Sequence, residues 1–191
     1  MAGLDIFLNY VSRSSFITIF VLSWLSLYLI MSFTILFSRM VGLGLWQRRE
    51  NASLESLLMG AKTLGNDSAL KKCASGRINK EKLGICISIA EKNATSGVTW
   101  LAIIASTSPF IGLFGTVVSI LETFSQLGQG GNSSLGVIAP AISEALVATG
   151  AGIFVAIPAY TFNLLIKRKA YELMSTIRRE ADILIASKEE F

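Results

Sequence analysis

The stretch FITIFVLSWLSLYLIMSFTILFS, residues 16–38, runs for 23 positions without one charged side chain. At a rise of about 1.5 Å per residue it is long enough, as a helix, for a bilayer core of roughly 30 Å. A secretory signal core is only about 7–15 residues. This run is longer and is followed by Arg39, Arg48 and Arg49, so it reads as an uncleaved anchor. Two further runs share its character. Residues 93–121 are uncharged, with a polar start at 93–97 that falls outside the hydrocarbon, and residues 123–166 are uncharged except for Glu144. Within the last run, Gly128-Gln129-Gly130-Gly131-Asn132-Ser133-Ser134 reads as a loop. A third span then starts near Val137, with Pro140 in its first turn, where a missing N–H costs little.

Composition agrees with three spans. The mean hydropathy of +0.58 over 191 residues is high for a soluble domain and ordinary for a polytopic membrane protein. There is no histidine, which excludes a His-based metal site, catalytic triad or proton relay. Cys73 and Cys86 lie in a polar, charged region, too far apart for a zinc motif. They read as reduced cytoplasmic thiols with no disulfide framework. No metal or cofactor is implied.

Basic residues set the orientation. Ten of the seventeen Lys and Arg lie between Arg39 and Lys92, six from Lys167 onward, one (Arg13) before the first run, and none between the second and third. The basic segments therefore face the cytoplasm, and the N-terminus and the 125–136 loop face the periplasm. The net charge of +4 is accounted for by orientation and contact with anionic membrane lipids, which leaves little for nucleic acid. The predicted fold is all-α: a three-span transmembrane helical protein with long helices extending into a small cytoplasmic helical domain. Its parts are a periplasmic N-terminus (1–15), spans at 16–38, 96–124 and 137–166, a cytoplasmic helical loop (39–95), a periplasmic loop (125–136) and a cytoplasmic helical tail (167–191). In the loop, Leu54, Leu57, Leu58, Ala61 and Leu64 recur at helical spacing and predict a short amphipathic helix. Leu83, Ile85, Ile87 and Ile89 suggest that the second span starts as a helix well below the membrane. Tyr171, Met174, Ile177, Ala181 and Leu184 carry the third helix on into the tail.

The second and third spans hold the polar chemistry. On a helical wheel at about 100° per residue, Gly112, Thr116, Ser119 and Thr123 fall within roughly 60°, with Ser108 and Gly115 at the border. The opposite arc is bulky and apolar. In the third span Ile142, Leu146, Ile153 and Ile157 cluster on one side. Ala141, Glu144, Ala145, Ala148, Thr149, Ala151, Gly152 and Ala156 fill the other. Thr149 and Glu144 are about 140° apart, so they bracket the small face rather than stack. Small faces let helices approach closely. Glu144 lies about two turns into its span, where a charge costs at least ~2–3 kcal/mol, so it faces a bundle interior or a watery cavity. Two readings of it stay open: a protonated carboxyl giving one interhelical hydrogen bond, or a group lining an ion path beside the hydroxyls of Thr116 and Thr149. Glu122, near the outer end of its span, can reach the interface. Pro109 and Pro158 each free a backbone carbonyl and mark either hinges or tolerated kinks.

Ser108-Pro109-Phe110-Ile111-Gly112-Leu113-Phe114-Gly115-Thr116-Val117 resembles the second-span motif of the TolQ/ExbB/MotA proton-channel family. Ala139-Pro140-Ala141-Ile142-Ser143-Glu144-Ala145-Leu146-Val147-Ala148-Thr149 resembles the family's third-span motif, which Ala156-Ile157-Pro158-Ala159 and Asn163 continue. Three spans are similar to the TolQ and ExbB branch, whereas MotA-type proteins have four. The resemblance implies a bacterial inner-membrane homopentamer around two copies of a single-span TolR/ExbD-like partner whose membrane aspartate titrates. It implies that Thr116, Thr149 and Glu144 form the proton pathway, with Gly112, Gly115, Ser119, Ala148 and Gly152 on the pore face. It also implies that proton flow energises a TolA/TonB-like periplasm-spanning protein, for Tol-Pal envelope maintenance or TonB-dependent import. The cytoplasmic loop is short for the family, Ala141 stands where glycine is usual, and Gly150 where alanine is common. Residues 4–8 lean toward TolQ.

Other functions compete. A structural membrane scaffold would use the small faces for packing alone and conduct no ion. A small secondary transporter would favour internal repeats, which are not evident. An enzyme is least favoured, because no nucleophile–base pair is present.

Overall fold

A computed structural model describes residues 16–60, 65, 68–74, 79–130 and 135–189. Readings placed on 1–15, Ala61, Lys62, Leu64, Arg77 and 131–134 lie outside the described residues. Helix α1 is Phe16–Leu58, α2 Lys71–Ala74, α3 Lys80–Ala94, α4 Val98–Gly130 and α5 Leu135–Glu189. No strand occurs among the described residues, and three helices are long and apolar enough to cross a membrane.

Local chemistry explains most of the boundaries. The Asn79 side chain accepts from the Glu81 N–H at 3.4 Å and caps α3, with Glu81 in its first turn and Lys92 in its last, each charge opposing the helix dipole favourably. The Thr95 N–H and hydroxyl bond to the Glu91 carbonyl at its other end. Gly97, at φ +82, adopts the left-handed backbone that separates α3 from α4 at little steric cost.

Three differences from the sequence reading have physical causes. First, α1 continues to Leu58 instead of yielding to a separate amphipathic helix, because residues 39–58 contain no proline and only two glycines. Second, α4 stays helical through Gly130, where a loop reads from Gly128, since a glycine in a helix costs only about 1 kcal/mol. At the start of α5, Pro140 consequently lies beyond the first turn. Third, Cys73 and Cys86, expected as reduced thiols, are joined in a disulfide with Cα atoms 6.4 Å apart. Packing of α2 against α3 brings the two residues within bonding reach, a tertiary fact that their sequence spacing does not carry.

The chain divides into two compact units. One comprises 1–34 and 100–161, the other 35–99 and 162–191. The core of the first is Val21, Leu25, Ile104, Ala148, Val155 and Ala159, with Ile17, Tyr28 and Ile111 packed against it. Its outward side chains are large and apolar, as at Phe20, Phe110, Phe114 and Ile157, the surface expected of helices facing lipid or other apolar helices. The second unit buries Leu43, Leu83, Ile166, Leu173 and Ile177 beside an unusual number of polar groups: Glu50, Ser53, Ser68, Asn163, Thr176 and Glu180. These are tied by specific bonds. Gln47 Nε2 donates to the Thr176 hydroxyl at 2.9 Å, Arg39 donates to the Asn93 carbonyl at 3.3 Å, and Asn163 Nδ2 donates to the Val98 carbonyl at 2.8 Å.

Asn163 is 4 % exposed, so truncating it strands a buried acceptor. Asn163→Ala should lower stability by about 1–3 kcal/mol, read as a reduced thermal midpoint of the detergent-purified protein, while Asn93→Ala, at an exposed position, should leave it unchanged.

Candidate functional site

The candidate site lies in the first unit, where α4 crosses α5. Gly112 and Gly152 meet there. A Cβ on Gly112 would sit 2.6 Å from the Ala148 carbonyl oxygen and 3.1 Å from the Cα of Gly152. A Cβ on Gly152 would sit 2.6 Å from the Ser108 carbonyl oxygen and 3.1 Å from the Cα of Gly112. The obstacles are backbone atoms, which cannot rotate aside. Gly115 faces the Ala148 methyl and Val21 of α1 at 3.2 Å, so α1 closes one side of the crossing. Of the small residues picked out by the wheels, Gly112, Gly115, Ala148 and Gly152 thus share one intramolecular contact. Ser119 is buried one turn along α4.

One turn from Gly112, this proximity brings Thr116 and Thr149 together. Their hydroxyl oxygens are hydrogen-bonded to each other. The Thr116 hydroxyl also reaches the Ala145 carbonyl at 3.0 Å and its own helix's Gly112 carbonyl at 3.3 Å, and the Thr149 hydroxyl reaches the Gly112 carbonyl at 3.4 Å. Each hydroxyl has one proton and two lone pairs. Two directions of the pair are therefore open, with Thr116 able to end on Gly112 as well as on Ala145. Either Thr149 donates to Thr116, which donates to Ala145, or Thr116 donates to Thr149, which donates to Gly112. A two-hydroxyl chain ended by carbonyls can reverse its direction without leaving a donor unpaired.

Thr116, Thr149 and Glu144 are all half-buried. Glu144 directly precedes Ala145, whose carbonyl accepts from Thr116, so its backbone lies beside the hydroxyl pair, while Thr149 follows it by five residues, about one and a half turns along α5. Glu122, set apart in the sequence reading, is also half-buried. Pro109 and Pro158 lie inside α4 and α5, where each lacks the N–H that would meet the carbonyl four residues earlier. Ser106 and Thr107, beside Pro109, direct their hydroxyls to carbonyls of the preceding turn, Ala102 and Ile103. Sequence reasoning missed the backbone acceptors at Ala145 and Gly112, because a wheel projects side chains only. Among the described residues, no group of three or more His, Cys, Asp or Glu is placed to hold a metal.

Comparison with known proteins bears on this region. The model of the MotA/TolQ/ExbB proton channel family matches residues 54–179. A Helicobacter pylori protein named as an ExbB-like biopolymer transport protein is 43 % identical over 188 residues, 97 % of this chain and 100 % of the relative. The biopolymer transport protein ExbB of Neisseria gonorrhoeae is 57 % identical over 63 residues, 33 % of this chain and 29 % of its own. The Tol-Pal system protein TolQ of Pseudomonas aeruginosa is 44 % identical over 75 residues, 39 % and 32 % of the two chains.

Because backbone blocks a Cβ at both glycines of the crossing, Gly112→Ala and Gly152→Ala should each destabilise the protein by about 1–3 kcal/mol, as overpacking does. Gly150→Ala, inside α5 with open space around it, should instead stabilise by up to about 1 kcal/mol, the helix-propensity gain of alanine over glycine. Thermal unfolding of the three variants in one detergent checks the contrast.

Proposed function

The chain belongs to the MotA/TolQ/ExbB proton channel family, and from that premise we propose that it is the proton-channel subunit of an inner-membrane motor, with the proton path lined by α4 and α5. In this reading the N-terminus is periplasmic and the C-terminus cytoplasmic. Several copies, five by family resemblance, enclose the membrane helix of a TolR/ExbD-like single-span partner. The proton-motive force then energises a TolA/TonB-like protein that spans the periplasm.

The observation that carries the reading is the Thr116–Thr149 hydroxyl pair, capped by the carbonyls of Ala145 and Gly112 within the matched segment. A threonine cannot hold a charge, but it can pass a hydrogen bond along. This chain has no histidine, and Glu144 is the single Asp, Glu, Lys or Arg of 123–166. A path through it therefore needs either Glu144 or a partner's acid as the titrating group, with the hydroxyls as orienting relays. The excess of basic residues in 39–92 and after 167 supports the orientation.

One observation favours a second reading. Gly112, Gly115, Ala148 and Gly152 are engaged in packing within one chain, as a scaffold without conduction would also require. The two readings separate at the polar residues. Replacing both Thr116 and Thr149 by Val keeps shape and removes the relay. Membrane levels of the protein should persist, while proton uptake by vesicles holding the channel with its partner falls at least about tenfold, the effect of some 1.4 kcal/mol of added barrier. Glu144→Ala should act in the same direction, with loss of envelope integrity or of energised import in cells. Wild-type flux in both variants refutes the path through Thr116, Thr149 and Glu144, whereas a wild-type complex that passes no more protons than empty vesicles refutes the channel reading and leaves the scaffold.

A further inference from the structure

In the second unit, two carboxyl side chains are buried against each other. Glu50 of α1 and Glu180 of α5 are each 0 % exposed. One oxygen of each is satisfied from outside the pair. Glu50 Oε1 accepts from the Trp46 indole N–H at 2.8 Å and from the Ala69 backbone N–H at 2.8 Å. Glu180 Oε2 accepts from the Ser68 hydroxyl at 3.1 Å. The remaining oxygens, Glu50 Oε2 and Glu180 Oε1, are buried with no hydrogen-bond partner, and the adjacent residues Ser68 and Ala69, one bonded to each carboxyl, hold the two groups close together. Two ionised carboxylates this close repel out of water and leave both of these oxygens unsatisfied. One proton between them supplies both the donor and the missing neutralisation.

Among the described residues, no buried cation stands beside the pair. Beside Glu180 stand Glu50, Ser53 and Ser68, and the charge that acts on it is that of Glu50. The inward face of α3 is Leu83, Cys86, Ala90 and Ala94, without an ionisable group, since Cys86 is held in the disulfide. Arg49, Lys71, Arg178 and Arg179 are exposed, and Arg178 lies 3.5 Å from Glu91. Burial first, and then the charge of the neighbouring Glu50 carboxyl, push Glu180 from 4.5 up to about 7. Trp46, Ser68 and Ala69, three of the groups that bind the pair, also line a cleft of about 380 Å³, so only these groups stand between the pair and the cleft's solvent.

We infer that Glu50 and Glu180 form one buried proton-binding site, and that release of its proton loosens the Ser68–Ala69 segment from the two helices that carry the pair. The segment is held through Ser68 and Ala69 to both carboxyls, so charging the pair strains the contacts that fasten it. The sign of the pH effect follows from proton counts. Between about pH 4.5 and pH 7 the folded site holds a proton that the unfolded chain has released, so stability falls as pH rises through this window and stays low above it.

The test uses the full chain in detergent or nanodiscs, in potassium buffers. The thermal midpoint of the wild type should fall from about pH 5 to about pH 8. Glu180→Gln should flatten that component, and Glu50→Gln, whose amide donates to Glu180 without a proton, should move it to lower pH. Infrared spectra of the wild type should show a protonated-carboxyl C=O band near neutral pH that disappears on alkalinisation and is missing in Glu180→Gln. This measurement decides the matter even where a variant folds poorly. Amide exchange at Ala69 should quicken as the band disappears. An unchanged slope in both variants overturns the site, as does a wild type lacking the band, or a stability that follows sodium concentration at fixed pH in place of pH.

Discussion

At the crossing of α4 and α5 there is no space for a methyl group, and the polar chemistry of the first unit depends on that close approach. Packed helices usually keep their axes about 8–10 Å apart. Threonine hydroxyls are short, and at ordinary spacing two of them on facing helices point past one another. With glycine at 112 and 152 the backbones touch, and Thr116 and Thr149 come within bonding distance one turn away. Gly115 and Ala148 extend the contact toward α1 through Val21. The driving force within a bilayer is packing, since lipid tails are as apolar as the side chains they would replace. Small residues are therefore what makes the hydroxyl pair geometrically available.

The second unit solves a different problem. Its helices are joined by buried polar bonds: Gln47 to Thr176, Asn163 to the Val98 carbonyl, and the Trp46, Ser68 and Ala69 donors around Glu50 and Glu180. Hydrogen bonds of this kind fix register more sharply than apolar contact, because a displaced polar group loses its partner outright.

The three spans were legible because the absence of charge over more than twenty residues is a strong and local signal, and the Thr116 sector was legible because its residues repeat at helical spacing. The pairing of Thr116 with Thr149 was only half legible. A wheel gives each helix its face, but not which faces meet or which carbonyls lie between them. The disulfide was missed because it depends on how α2 folds back on α3. The Glu50–Glu180 pair was missed because both residues sit in charged surroundings, Gln47-Arg48-Arg49-Glu50 and Arg178-Arg179-Glu180, and look solvated. A signal was present all the same. Glu180 stands three residues after Ile177 and four before Leu184, on the apolar stripe of the tail, and Glu50 stands one turn after Trp46.

The mutual satisfaction of Thr116 and Thr149 has a consequence for biogenesis. Within a bilayer core, each unpaired polar group costs several kcal/mol. Here both hydroxyl protons are engaged within the chain, at Ala145 or Gly112 and at each other. At this pair the chain leaves no hydroxyl proton unpaired, so entry into lipid needs no second molecule to satisfy it.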